Sequence, residues 1–193
     1  YFHEVGFLED VTGILAGFKI RADAFFKPVS NDLYVDEKVY AVSANSSADA
    51  YVVNLDIFSK LGMPPPPTRW TMEEFEKFGR DYVKRANQGK KNRDHFLTTP
   101  PAFGGEKDCL MRSLGVSYFN ETLTAGGLDN AAMRTFLKRS DDWIYEDHIM
   151  PTGAEMGSFN TAQGYGGPMF YLFTHGHLAM ISSGTYLCIL MCQ

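Results

Sequence analysis

Trp70-Thr71-Met72-Glu73-Glu74-Phe75-Glu76-Lys77-Phe78-Gly79-Arg80-Asp81-Tyr82-Val83 is the best-signalled segment of the chain. Thr71-Met72-Glu73-Glu74 has the form of a capping box, in which the Thr71 hydroxyl accepts from the Glu74 amide and the Glu74 carboxylate reaches back to the Thr71 amide. Met72, Phe75, Phe78 and Tyr82 recur at three- and four-residue steps with Val83 alongside, which makes one face of a helix apolar. The polar run Asn87 to Asp94 ends it. On one side lies the β-branched Ala50-Tyr51-Val52-Val53, and on the other His95-Phe96-Leu97-Thr98-Thr99, closed by Pro100-Pro101. Both read as strands.

The same alternation continues outward. Upstream, Ala22 to Lys27 reads as a short helix ended by Pro28, and Val39-Tyr40-Ala41-Val42 as a strand. Asn54 to Leu61 reads as a helix with Gly62 placed to end it. Pro64 to Pro67 is a stiff spacer that sets the entry of the helix after it. Downstream, Glu106 to Leu114 is expected to be helical. Asp129 is expected to cap a long helix carrying Met133, Phe136, Leu137, Trp143, Ile144 and His148, stopped at Met150-Pro151. Gln163 to Pro168 reads as a loop, and a short helix follows through Phe170 and Phe173 to Gly176. Leu178 to Ser183 reads as a strand, with Gly184 opening a final apolar helix. Strands alternating with helices indicate an α/β fold with a buried sheet.

The chain has 193 residues, 45% of them hydrophobic and 21% charged, and a formal net charge of −5. That composition excludes disordered, collagen-like and disulfide-dense classes, and no run approaches the ~18–20 apolar residues of a membrane span. The acidic balance argues against nucleic acid, which needs a basic face. Cys109, Cys188 and Cys192 lack the paired short spacings of a zinc framework and read as buried structural residues. His175-Gly176-His177 lacks the i, i+4 spacing of a helical metal pair and reads as a turn carrying two polar rings. Gly164-Tyr165-Gly166-Gly167 lacks the preceding strand of a phosphate cradle. No Gly-x-Ser-x-Gly elbow occurs, and no cysteine has an evident base. Asp141-Asp142 and Glu146-Asp147 read as solvated helix charges. The expectation is a protein without catalytic residues, metal or cofactor, although paired-carboxylate chemistry stays open without distances.

Several segments stand in a telling order. Tyr51-Val52-Val53-Asn54-Leu55-Asp56-Ile57-Phe58-Ser59-Lys60-Leu61-Gly62 follows a strand and a small polar run. Trp70-Thr71-Met72-Glu73-Glu74-Phe75 follows the proline spacer. Phe173-Thr174-His175-Gly176-His177-Leu178-Ala179-Met180 leads to Ile181-Ser182-Ser183-Gly184-Thr185-Tyr186. With Gly6-Phe7-Leu8-Glu9-Asp10-Val11-Thr12 near the start, this series resembles the extracellular solute-binding proteins of bacterial sugar ABC transporters, the group that includes the maltose-binding protein. The resemblance runs from about Gly6 to Tyr186. It departs from the family pattern at Ser43 (proline), Val53 (tyrosine), Leu55 (lysine), His177 (lysine) and Tyr186 (tryptophan).

The resemblance implies an α/β, type II periplasmic-binding-protein-like fold, mostly the second lobe with a remnant of the first. Residues 1–42 would be that remnant with its hinge strand, and residues 43–193 the second α/β lobe. Such proteins hold a sugar or oligosaccharide between two lobes and deliver it to the permease subunits of an ABC transporter, in the periplasm or outside the cell. They meet the membrane only through the permease or through a lipid anchor, here outside this chain. On that reading Asn45, Ser46 and Ser47 would offer amide and hydroxyl partners to sugar hydroxyls, a plain turn being the alternative. Asn45-Ser46-Ser47 is also a formal glycosylation sequon, set aside because the resemblance is bacterial. Tyr186 would stack on a sugar's C–H face while its phenol hydrogen-bonds. Phe103 would stack, Gly104 with Gly105 would let backbone amides approach, and Glu106 or Lys107 would hydrogen-bond. Tyr165 is a further candidate. A carbohydrate-active enzyme of glycosidase type, or a binding protein for a non-sugar solute such as a polyamine, is the alternative. The termini, Tyr1-Phe2-His3 and Leu190-Met191-Cys192-Gln193, are expected to belong to a fragment. Such a fragment alone would bind sugar weakly or not at all and expose apolar surface around Ile189 to Met191.

Overall fold

In the computed structural model, residues 2–21, 34–43, 47–101, 105–159 and 167–185 are described, without the side chains of 34, 105, 106 and 167. The chain divides into two compact units, Tyr1–Ala48 and Asp49–Gln193.

The first unit is built on one short helix and a hairpin. Asp10 accepts from the Thr12 amide and hydroxyl, at 3.0 and 2.6 Å, where helix α1 (Thr12–Gly17) begins. The same hydroxyl accepts from the Val39 amide at 2.9 Å, and the Val11 amide donates to the Val39 carbonyl at 2.9 Å. These bonds tie α1 to strand β2 (Lys38–Val39), which pairs antiparallel with β1 (Tyr34–Val35). Asp36 and Glu37 between them both take positive φ, 49° and 64°, as a two-residue hairpin turn requires. Among its described residues, Leu15 and Val39 are the buried apolar ones.

The second unit is organised about strand β4 (Met180–Gly184), which pairs along its whole length with antiparallel β3 (Asp49–Val53). On its other side the Phe96 segment bridges Leu178 in parallel, the Ala179 and Met180 amides donating to the carbonyls of Phe96 and Leu97. The Leu97 amide then donates to the Ile149 carbonyl at 2.8 Å. Successive residues of a strand point to opposite faces, and both central segments carry apolar side chains on both. Leu97 and Met180 pack with Phe58, Phe75, Tyr82 and Trp143, whereas Phe96 and Ile181 pack with Leu172, Phe173 and Leu178. The sheet is therefore the middle of three layers. Burying a large apolar side chain contributes roughly 1.5–3 kcal/mol, so these two clusters hold the unit together.

The helices follow local signals. Asn54 caps α2 (Leu55–Lys60), accepting from the Ile57 amide, and Gly62 closes its end at φ 62°. Both bonds of the expected capping box open α3 (Met72–Ala86): Glu74 N to Thr71 Oγ1 at 3.2 Å and Thr71 N to Glu74 Oε2 at 2.7 Å. The apolar stripe of α3 buries Phe75, Tyr82 and Val83. Helix α4 (Gly105–Ser113) meets α5 (Ala131–Asp141) through Met111, Val116 and Phe136. Helix α7 (Gly167–Thr174) supplies Leu172 and Phe173 to the second face.

Several expectations change. Tyr40 to Val42 are not strand, because the described hairpin partner is only two residues long. His95–Thr99 makes a single bridge instead of a regular strand. Asn130, not Asp129, caps α5: its Oδ1 accepts from the Met133 amide at 2.7 Å, whereas Asp129 pairs with Arg134 in solvent. That helix does not run to Met150 but turns into one π turn, Asp142–Glu146. The extra residue of a π turn rotates the following face, and Trp143 ends fully buried with its indole N–H on Glu76 Oε1 at 3.0 Å. His148 leaves the helix at φ 53°. A second capping box, Thr152 with Glu155, opens α6 (Gly153–Ser158), which the sequence reading did not assign. Cys109, on α4, is exposed rather than buried. The expected helices at 22–27 and after Gly184, and Cys188, Cys192 and Ile189 to Met191, lie outside the described residues.

Candidate functional site

Strand direction gathers the candidates of the second unit. β4 and the Phe96 segment run parallel, so both end at one edge of the sheet, the first at Gly184 and the second at Thr99. Antiparallel β3 begins at that edge, where Asp49 is the register partner of Gly184. In open α/β sheets ligands bind outside the carboxyl ends of parallel strands, where the connecting segments diverge.

The chemistry of this edge is distinctive. Among the described residues Thr98, Thr99 and Ser183 are the buried polar or charged ones, and all three stand at the ends of these two segments. The Thr98 hydroxyl has no hydrogen-bond partner there. Thr99 Oγ1 reaches only the Met169 thioether at 3.6 Å, and Ser183 donates to the neighbouring Gly184 carbonyl at 3.1 Å. Burying an unbonded hydroxyl costs about 1–3 kcal/mol, so the Thr98 hydroxyl, with those of Thr99 and Ser183 at the same edge, marks a place shaped for polar contact. Only burial in the fold reveals this: Thr98 and Thr99 read in sequence as ordinary strand residues.

The candidates named from sequence fall around it as follows. Phe103 and Gly104 lie outside the described residues, between Pro101 and the start of α4, and Glu106 is on the first turn of α4. Tyr186 is the second residue after Gly184 and Tyr165 the second before α7; both lie outside the described residues. Asn45 and Ser46 do as well, while Ser47 is exposed in the first unit, two residues before β3. In sequence, the 103–106 positions follow the Phe96 segment and position 186 follows β4.

A separate concavity of about 510 Å³ opens beside α3 and α4, lined by Trp70, Phe75, Leu110 and Trp143 with Glu73 and Arg139 among its polar groups. Its volume suits a small molecule, but its charged groups, Glu73 and Arg139, are paired with each other. Arg139 bonds Glu73 at 2.9 Å and Glu76 at 3.2 Å. The hydrogen bond from Arg139, ahead of other causes, holds the Glu73 carboxyl below its ordinary value. The indole N–H of Trp143 is committed to Glu76. The sheet edge, with the unpartnered Thr98 hydroxyl, is the better candidate.

His175 and His177 diverge as a turn would have them. The His175 ring stacks on Tyr171 at 3.8 Å, while His177 packs on Phe159 at 4.5 Å and its Nδ1 lies 2.9 Å from the Asp94 carbonyl. No described helix is long and apolar enough to cross a membrane.

No protein-family profile matches the sequence, and no curated protein matches it. Solved structures do. An ABC substrate-binding protein from Listeria monocytogenes in complex with cycloalternan superposes with a TM-score of 0.76 at 23% identity, covering 96% of this chain and 45% of that one. Maltose-bound MalE3 of T. maritima gives 0.66 at 17%, covering 93% and 42%. UgpB of Mycobacterium tuberculosis in complex with glycerophosphocholine gives 0.66 at 14%, covering 95% and 42%. The chain has the α/β fold of these type II periplasmic-binding-protein-like structures and spans less than half the length of each.

Proposed function

We propose that this chain supplies the ligand-holding second lobe of an extracytoplasmic solute-binding protein that captures a sugar or oligosaccharide for an ABC permease. The observation that carries the reading is the buried Thr98 hydroxyl, without a partner among the described residues, together with the buried hydroxyls of Thr99 and Ser183 at the carboxyl edge of the sheet. Hydroxyls both donate and accept, as sugar hydroxyls do. Tyr186 supplies the stacking surface for a sugar's apolar face, and Phe103 a second one. Gly104 admits backbone amides, Glu106 and Tyr165 add polar contacts, and Asn45, Ser46 and Ser47 offer amide and hydroxyl partners. Residues 1–42 belong to the first lobe on this reading.

The mechanism follows from a ligand that touches both lobes only when they are shut. It stabilises the closed state by the difference in its contacts between open and closed forms, and the permease reads the closed form. Its place is the periplasm or the outer face of the cell. Complexes of structural neighbours with cycloalternan and maltose support a saccharide ligand. A second reading, a small polar solute that is not a sugar, draws on the neighbour that holds glycerophosphocholine.

Labelled oligosaccharides separate these readings from the glycosidase alternative. Saturable binding without cleavage is expected. Product in excess of protein contradicts the transport reading, and binding confined to amines or phosphodiesters contradicts the sugar.

A further inference from the structure

The opposite edge of the same sheet carries a cluster that solute binding does not use. Asp94 and His95 immediately precede the Phe96 bridge, and His177 immediately precedes its parallel partner Leu178. The Phe96 amide donates to the His177 carbonyl at 2.8 Å, so the two histidines enter the sheet side by side. Their ring centroids are 5.6 Å apart. One ligand atom from each of Asp94, His95 and His177 lies within 4.8 Å of the others.

We propose that Asp94, His95 and His177 form a binding site for one divalent transition-metal ion of the zinc class. Carboxylate and imidazole are the borderline donors that such ions select. Ligands on a tetrahedral ion at about 2.0–2.1 Å stand ~3.4 Å apart. Here the three lie within 4.8 Å of one another and Asp94 Oδ1 meets His95 Nδ1 at 2.5 Å, so side-chain rotation has to open that pair around the ion. The supporting contacts are built in. His177 Nδ1 donates to the Asp94 carbonyl at 2.9 Å, which leaves Nε2 with the lone pair, the usual arrangement for a metal-bound histidine. Asn87 holds the backbone of the other two ligands, its Oδ1 accepting from the Asp94 and His95 amides, both at 3.1 Å.

A cation already stands there. Lys90 Nζ lies 2.8 Å from Asp94 Oδ1 and 2.7 Å from His95 Nδ1. The cluster thus holds positive charge, and it does so with a partly exposed, flexible side chain that an ion displaces into solvent. A bound ion bridges the two parallel segments at their amino-terminal end, fastening the sheet from the side opposite the solute edge.

The test uses zinc chloride in thermal-shift and calorimetric titrations, and cobalt(II) for its visible absorption bands. Expected are a zinc-dependent rise in melting temperature, one ion bound per chain, and tetrahedral-type cobalt bands, all lost in His177→Ala and His95→Ala. Lys90→Met removes the competing charge and tightens zinc binding by roughly tenfold or more, the effect of one unit charge at contact distance. This gain does not depend on whether the histidine variants fold. Zinc binding unchanged by His177→Ala, or no binding in either the unaltered chain or Lys90→Met, overturns the proposal. Sugar binding at the other edge is unaffected by these variants, so failure here leaves the solute reading standing.

Discussion

The side chain of Asn87 does for His95 what a neighbouring strand would do: Nδ2 donates to the His95 carbonyl at 2.8 Å while Oδ1 accepts from the His95 amide at 3.1 Å. Nδ2 also donates to the Val83 carbonyl at 2.9 Å, and Oδ1 accepts from Asp94. One residue thereby joins the end of α3 to the start of the Phe96 segment. Asn87→Ala strips partners from partly buried backbone groups and is expected to cost about 2–4 kcal/mol in urea unfolding. Asn87→Asp keeps the acceptor and loses the donor, so it should also destabilise, but by less.

Gly79 sits inside α3, where glycine ordinarily costs ~1 kcal/mol relative to alanine. Ile149 explains it: a Cβ at position 79 would stand 2.8 Å from its Cδ1 and Cγ2. Ile149 is fully buried and has nowhere to go. Gly79→Ala is therefore expected to destabilise by about 1–3 kcal/mol despite better helix propensity. In an Ile149→Ala background the same substitution should cost clearly less, as a double-mutant cycle would report.

Tyr82 is fully buried, and its hydroxyl has no hydrogen-bond partner among the described residues. Burial, with a smaller contribution from the Asp94 charge, pushes the phenol well above its ordinary pKa. Removing a buried hydroxyl that bonds nothing relieves a desolvation cost. Tyr82→Phe should therefore be neutral or stabilising, by up to about 1 kcal/mol, in thermal or urea unfolding. A loss of more than that would reveal a partner for the hydroxyl.

Acid should loosen α6. Burial pushes Glu155 up, but the Thr152 hydrogen bonds and Arg93 together outweigh it and hold the carboxyl below its ordinary value. A carboxylate whose folded pKa is depressed adds stability above its unfolded pKa, and that stability is lost as pH falls through the folded value. The Thr152–Glu155 box should thus hold at neutral pH and fail under acid, at a cost of about 1 kcal/mol. NMR titration of the Glu155 carboxyl and the Thr152 amide checks this, and Glu155→Gln should remove that part of the acid sensitivity.

Local rules made much of this fold legible. The Thr71 box, the Asn54 to Leu61 helix and β3 appear where sequence placed them, because each signal is satisfied within a few residues. The π turn at Asp142–Glu146 was not legible, since what selects it is the buried pocket for Trp143 and the distant Glu76 acceptor. The α6 box was legible in Thr152-Gly153-Ala154-Glu155, yet no apolar stripe follows to draw attention to it. For the site, strand ends and aromatic residues pointed to positions near 103–106 and 186. Thr98, Thr99 and Ser183 stayed hidden because their burial depends on layers contributed from elsewhere in the chain.

The central claim, that a saccharide is held at the carboxyl edge of the sheet, is tested most directly by amide NMR titration with oligosaccharides, which registers even weak binding. The account predicts saturable shifts concentrated at Thr98, Thr99, Ser183, Gly184 and Thr185, much reduced in Tyr186→Ala, with His95 and His177 undisturbed. Shifts centred on Trp70 and Arg139 would contradict it.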